Sequence, residues 1–369
     1  MIYLDSAATS LLKPLAVEQA VLRALRTMAS PGRGSHAPAM LAAETVYDCR
    51  EEAAALFHVP EPERVVFTMN ATHGLNIAIR SLIPPGGTVV ISGFEHNAVT
   101  RPLHALGATL RVAGRRLFDP ADTLRDFARL LPGADAAVCT QVSNVFGYVL
   151  PIAEIAALCR ENGVPLIVDA SQAAGVLELD FAGWGAAFAA MPGHKGLFGP
   201  QGTGLLLCAE RGEPLLSGGS GSESRRQAMP EELPERLEAG THNVCGIAGL
   251  LAGLRFVREK GPETILAHER KLLALAEEEL AGSGLELFTG EEQAGVLSLR
   301  VPGLDSESAA RTLAERGICV RAGLHCAPLA HGSAGTLETG TVRLSFSPFV
   351  TEGQLRVCCR TLRQLVRRG

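Results

Sequence analysis

One amine stands out in the chain, because Lys195 follows His194 in a glycine-dense stretch, MPGHKGLFGPQGTG (191–204), between two apolar runs. A flexible backbone around a lysine suits a Schiff base, although the same stretch also reads as a surface turn. Upstream, LIVDASQ (166–172) ends an apolar run with Asp169 and sets Gln172 three residues on. Ligands of open α/β sheets bind at the carboxyl ends of strands, where an aspartate can hold a protonated ring nitrogen. Lysine plus aspartate is the pairing that pyridoxal phosphate (PLP) uses. An aspartate there is equally a helix cap or a metal ligand. NATHGLNIAI (70–79) places Thr72 and His73 between a strand and a helix. Free N–H groups at a helix start suit a phosphate, and Thr72 is also an ordinary N-cap. GFEHNAV (93–99) offers His96 after another strand, as a ring that stacks on a flat cofactor or as a structural histidine.

The elements that must position these residues are legible as short apolar runs at 64–68, 87–92, 108–114, 135–140, 164–169, 186–190 and 203–209. Several are continuous rather than alternating, as strands buried on both faces require. Helical spacings lie between them, at 124–131 and at 152–162, the latter closed by Gly163. The expected fold class is α/β, a large domain with a mostly parallel seven-stranded sheet. A polar stretch at 217–240 reads as a surface excursion, too polar to form core. Beyond it come helices at 245–259 and 263–281, a strand at 296–300, and a helix near 306–316. Strands at 318–323 and 341–346 and a last helix from 351 to 367 complete a smaller α+β domain. The boundaries expected are an N-terminal segment 1–14 packing near the small domain, a large domain 15–245 and a C-terminal domain 246–369.

Composition narrows the function classes. At about 150 residues per domain, 369 residues are ample for a large core, which excludes a small disulfide scaffold. A formal charge of −5 and 47% hydrophobic residues argue against nucleic-acid binding and against disorder. Nine cysteines, an odd number without a CxxC pair, point away from oxidised secretion. Neither a signal peptide nor an apolar run of membrane-spanning length is present, so a cytoplasmic protein without membrane or metal partners is expected.

Lys195, Asp169, Gln172, His96 and Thr72, each after a successive apolar run, make the chain resemble the class V family of PLP enzymes of fold type I. Within it the resemblance is to the cysteine desulfurase and selenocysteine lyase branch, and it runs from YLDSAAT (3–9) to TVRLSFSPFVTEGQL (341–355). The resemblance implies that Lys195 carries the cofactor, Asp169 pairs with its ring nitrogen, Gln172 contacts its hydroxyl and His96 stacks on it and takes part in catalysis. It places Thr72, Ala71 and His194 at the phosphate and Asn144 of SNVFG near cofactor and substrate. It also implies a homodimer whose Gly240 and Thr241, in EAGTHN, complete the partner's phosphate site. Cys326 in RAGLHCAP (321–328) matches the family's nucleophile, with His325 beside it and Arg321 as a cationic neighbour that favours a thiolate. Arg343 matches the arginine that grips the substrate carboxylate.

Three positions and one loop length depart from the family pattern. Pro192 stands where a hydroxyl residue is usual, and Ala71 replaces one of two threonines. His73 stands where relatives are often acidic, and the lysine loop is one residue longer. The implied reaction converts L-cysteine to L-alanine with sulfur passed to Cys326 as a persulfide. From there it goes to an acceptor that the sequence does not name, a protein scaffold of iron-sulfur cluster assembly, a tRNA thiolation relay or a small thiol. Selenocysteine lyase acting on L-selenocysteine, or another class V enzyme such as an aminotransferase, is the alternative.

Overall fold

The computed structural model describes residues 1–32, 34–221 and 225–366. Its chain order is β1 (Ile2–Tyr3), α1 (Leu15–Thr27), α2 (Ala37–Leu56), β2 (Val65–Thr68), α3 (Ala71–Leu82), β3 (Thr88–Ser92), α4 (Asn97–Ala105) and β4 (Thr109–Ala113). Then follow α5 (Pro120–Leu130), β5 (Ala136–Thr140), α6 (Ile152–Glu161), β6 (Leu166–Asp169), α7 (Phe181–Trp184), β7 (Phe188–Pro192), β8 (Gly204–Cys208), α8 (Val244–Lys260) and α9 (Pro262–Leu280). The remainder is β9 (Glu286–Phe288), β10 (Val296–Arg300), α10 (Ser306–Glu315), β11 (Ile318–Cys319), β12 (Arg321–Gly323), α11 (Pro328–Ser333), β13 (Thr341–Ser345) and α12 (Glu352–Val366).

Seven strands form one sheet in the order β2-β8-β7-β6-β5-β3-β4, and only β8 runs against its neighbours. β5 to β8 are buried at every residue, which their unbroken apolar sequences require. Parallel neighbours need crossover helices, so every turn leaving the carboxyl end of a parallel strand opens on the same edge. The turns carrying Asn70 to Thr72, His96, Asn144, Asp169 and Lys195 all lie on that edge.

A second, antiparallel sheet, β12-β13-β10-β9, packs Leu297, Leu299, Val342 and Leu344 against α9 and α12. β1 pairs with β11, and Asp5 bridges to Ser345 of β13. Farther on, the Ser10 amide and hydroxyl both donate to the His194 carbonyl, at 2.9 and 3.0 Å. Residues 2–10 thus lace the second sheet to the lysine loop.

Two details differ from the sequence reading. The run at 318–323 is two strands, because Ile318–Cys319 pairs with β1 while Arg321–Gly323 pairs with β13. The stretch at 217–240 is not all surface, since Arg236, Leu237 and Glu238 are buried. Glu238 is sustained there by Arg50, whose two Nη atoms donate to its two carboxylate oxygens, by the Phe67 amide at 2.6 Å, and by His242 at 2.6 Å. Paired and hydrogen-bonded on both oxygens, this charge is tolerated inside. Among the described residues no helix is long and apolar enough to cross a membrane.

Candidate active site

At the strand-end edge a cleft enclosing about 490 Å³ is lined by Lys195, Asp169, Gln172, His96, Asn144 and Thr72, with Ala71, Pro192 and His194 also on its wall. Residues separated by as much as 124 positions in sequence meet there because each follows a strand of one sheet.

Lys195 sits in a turn closed by Phe198 N–H on its own carbonyl at 3.0 Å. Gly193 and Gly196 are obligatory, as a Cβ would fall 2.1 Å from Thr203 Oγ1 and 2.4 Å from the Ala174 carbonyl. Phe198, at φ 55, stands in left-handed backbone and is edge-on to Phe256 and Phe349. Burial pushes the Lys195 amine down to about 8, with Asp169 opposing and Arg343 adding to the shift. An amine so shifted is partly neutral near neutral pH, as a nucleophile or base must be. Burial, assisted by Lys195, also pushes His194 down to about 4. Its imidazole is therefore neutral, with Nδ1 3.1 Å from Thr9 Oγ1.

Asp169 ends β6 almost fully buried, and its Oδ1 accepts the Ser171 amide at 2.9 Å. Gln172 donates Nε2 to the Ala7 carbonyl at 3.0 Å. His96 caps α4 by accepting the Ala98 amide on Nδ1 at 3.0 Å, which puts the proton of the neutral ring on Nε2. Burial holds this histidine below its usual pKa although Asp169 pulls the other way. Directly before it lies Glu95, a residue that the sequence reading quoted without a role. It is wholly buried, and Oε1 accepts from the Ser92 hydroxyl at 2.5 Å and the Thr140 amide at 2.8 Å. Burial lifts it to about 8, so it stays protonated at neutral pH although its Oε1 accepts two hydrogen bonds.

Asn70 caps α3 by accepting the His73 amide at 2.9 Å. The amides of Ala71 and Thr72, the first two of the helix, are left for an anion. His73 accepts the Met69 amide on Nδ1 at 3.3 Å, and burial lowers its pKa. It is neutral and lines a neighbouring cleft with Gly240, Thr241 and His242, outside the lysine cleft. Gly240 and Thr241 are themselves exposed.

Cys326 is the exposed cysteine of the nine, and it follows β12 in a loop where His325 and Cys326 both adopt left-handed backbone, φ 49 and 57. Three bonds hold the loop, one of them to a residue that lines the cleft. Asn144 Nδ2 donates to the His325 carbonyl at 2.8 Å, the Asn97 amide donates to the Cys326 carbonyl at 2.8 Å, and His325 Nε2 lies 3.2 Å from Thr341 Oγ1. Burial, then Arg343 and His331, drive His325 down to about 2. His325 therefore brings no positive charge to the thiol. Arg321 is engaged too, 3.5 Å from Asp5 Oδ2. Arg343 is buried behind Asn144, donating Nη1 to the Asn144 carbonyl at 2.8 Å and Nη2 to Asp5 Oδ1 at 2.9 Å. Asp5 lay in plain view in YLDSAAT, but nothing in the sequence marked it as the partner of Arg343.

The residues present fit PLP. An amine of depressed basicity, a buried carboxylate, a fixed imidazole and two free helix-start amides line one cleft of adequate size. The sequence profile of the aminotransferase class-V family matches residues 2–357, and the chain belongs to that family. Its relatives include a probable cysteine desulfurase of Methanothermobacter thermautotrophicus, 32% identical over all of this chain and 95% of that protein. A cysteine desulfurase of Serratia proteamaculans is 33% identical over 88% of this chain and 84% of its own. Among solved structures, the apo cysteine desulfurase of Thermococcus onnurineus superimposes with a TM-score of 0.92 at 30% identity, covering 100% of this chain and 95% of that one.

Proposed function

We propose that the chain is a PLP-dependent cysteine desulfurase acting on L-cysteine, with Cys326 as sulfur acceptor. The observation that carries this reading is that Asn144 both lines the lysine cleft and clasps the loop of the exposed Cys326. The loop that carries the exposed thiol is thereby tied to a wall residue of the cleft that holds the Lys195 amine. The family membership and the names of the relatives support it.

Lys195 and Asp169 would hold PLP, with His96 against its ring, Gln172 beside its hydroxyl, and Thr72, Ala71 and His194 at its phosphate. Bound there, PLP supplies the electron sink for charge developing at the substrate Cα. Lys195 takes the Cα proton, and its lowered basicity suits it to give that proton back. Arg343 and Asn144 orient the substrate. The Cys326 thiolate attacks the substrate sulfur, so that one S–S bond forms as the Cβ–S bond breaks, and protonation of Cβ completes alanine. The balance is L-cysteine plus Cys326–SH giving L-alanine plus Cys326–S–SH.

A homodimer is part of the proposal. Gly240 and Thr241 are exposed and line an open cleft whose wall also carries the exposed apolar residue Tyr47. We also read residues 15–245 and 246–369 as two domains, with α8 sending Ile247, Leu250 and Leu254 back into the large-sheet core. A persulfide-bearing thiol suits the reducing cytoplasm and an acceptor protein. The test is alanine release from L-cysteine with a thiol acceptor. Cys326→Ala is expected to lose it and Lys195→Ala to lose also the visible absorbance of the bound cofactor, while full activity of Cys326→Ala contradicts the proposal. Running L-selenocysteine in parallel separates the lyase alternative.

A further inference from the structure

The Arg343 guanidinium is 3% exposed, and the carboxylate it touches is the chain's own. Asp5 uses one oxygen on Arg343 Nη2 and turns the other toward Arg321 Nη1, 3.5 Å away. Two guanidinium groups against one carboxylate leave this cluster with a net charge of +1. The Nε–H of Arg343 is buried without any partner. An arginine with an orphaned N–H and uncompensated charge is an environment that one further carboxylate completes. Asp5 itself does not fill that role, because a carboxylate that saturates a guanidinium engages it with both oxygens. Nor is Asp5 free to leave, since its segment bridges to Ser345 and the Ala7 amide donates to Ser345 Oγ at 2.8 Å, on the same strand that carries Arg343.

We propose that Asp5 is a positioning residue for the substrate α-carboxylate: with the Asn144 carbonyl it pins two corners of the Arg343 guanidinium, so that the remaining N–H groups meet an incoming carboxylate. This rests on the reading of Arg343 as the carboxylate grip. Asp5 touches neither substrate nor cofactor, and its positioning effect is read in how a carboxylate-bearing ligand binds relative to the same ligand without the carboxylate. The charge of Asp5 also raises the basicity of Lys195, so its loss moves that amine further down.

The experiment compares two ligands of the holoenzyme by calorimetry, S-methyl-L-cysteine and 2-(methylthio)ethylamine, which is the same molecule without the carboxylate. Asp5→Asn is expected to reduce the affinity ratio of the two by about tenfold, the loss of one charge-assisted contact. Arg343→Ala is expected to abolish the preference, and any change that reaches both ligands alike through the Lys195 amine cancels in the ratio. Asp5→Glu, one methylene out of register, is expected to give an intermediate ratio, and it decides the matter should Asp5→Asn not fold. An unchanged ratio in the Asp5 variants beside a collapsed one in Arg343→Ala overturns the inference and spares the reading of Arg343. An unchanged ratio in Arg343→Ala overturns both. Tighter carboxylate binding in Asp5→Asn also overturns the inference, because Asp5 is then a competitor.

Discussion

Removing the Asn144 side chain isolates one of the three bonds that hold the Cys326 loop. Its Nδ2 donates to the His325 carbonyl at 2.8 Å, while the bond to Arg343 runs through the Asn144 main chain and survives Asn144→Ala. Left-handed backbone costs about 1–2 kcal/mol for each non-glycine residue, so His325 and Cys326 together store about 2–4 kcal/mol. The three ties, at about 1 kcal/mol net each, roughly balance that strain. Losing one therefore shifts the loop toward release by about fivefold, since 1.4 kcal/mol is a factor of ten. The assay is residue-resolved amide hydrogen exchange at Asn97, which donates to the Cys326 carbonyl, and at Ala327, which donates to the Leu324 carbonyl at 2.8 Å. Both amides are expected to exchange about fivefold faster, with strand amides of the buried sheet unchanged. Thr341→Val, which removes the partner of His325 Nε2, is expected to act in the same direction. Unaltered exchange in both variants refutes the idea that these bonds hold a strained nucleophile loop.

Two further outcomes follow from buried charge. Glu238→Ala strands Arg50 and the Phe67 amide inside the protein and is expected to cost about 3–5 kcal/mol, read by urea denaturation at fixed protein concentration. Glu269, buried on α9 with the Gly295 amide as its bond, is pushed by burial up to about 8. The folded protein then holds a proton that the unfolded chain loses from about pH 4.5 upward, so this residue erodes stability as pH rises from about 4.5 to 8. Glu269→Gln, always neutral, is expected to gain on the wild type between pH 5 and pH 8 in urea melts, and an equal difference at both pH values contradicts that assignment.

Much of the framework is readable in the sequence, because fully buried strands are written as unbroken apolar runs. All seven strands of the large sheet fall on the runs expected, and the chemical side chains sit at their ends as a parallel sheet demands. What the sequence hides is pairing across distance. Arg50 meets Glu238 from 188 positions away and Arg343 meets Asp5 from 338, and neither periodicity nor composition carries that information. For the same reason the polar end of the 217–240 stretch looks like surface, although Glu238 is buried. The break at Val320 is equally invisible, since one short apolar run serves two sheets. Local spacing also could not show that His325, beside the thiol, is neutral, because its burial, and the Arg343 and His331 that add to it, come from other elements of the fold.

The central claim is that Cys326 receives sulfur from a substrate processed at Lys195. It is tested most directly by incubating the holoenzyme with L-cysteine, without an acceptor thiol, and locating added mass by peptide mass spectrometry. One added sulfur, about 32 Da, is expected on the peptide carrying Cys326 and is expected to be absent in Lys195→Ala. Sulfur found on another of the nine cysteines, or on Cys326 in the lysine variant, contradicts the account.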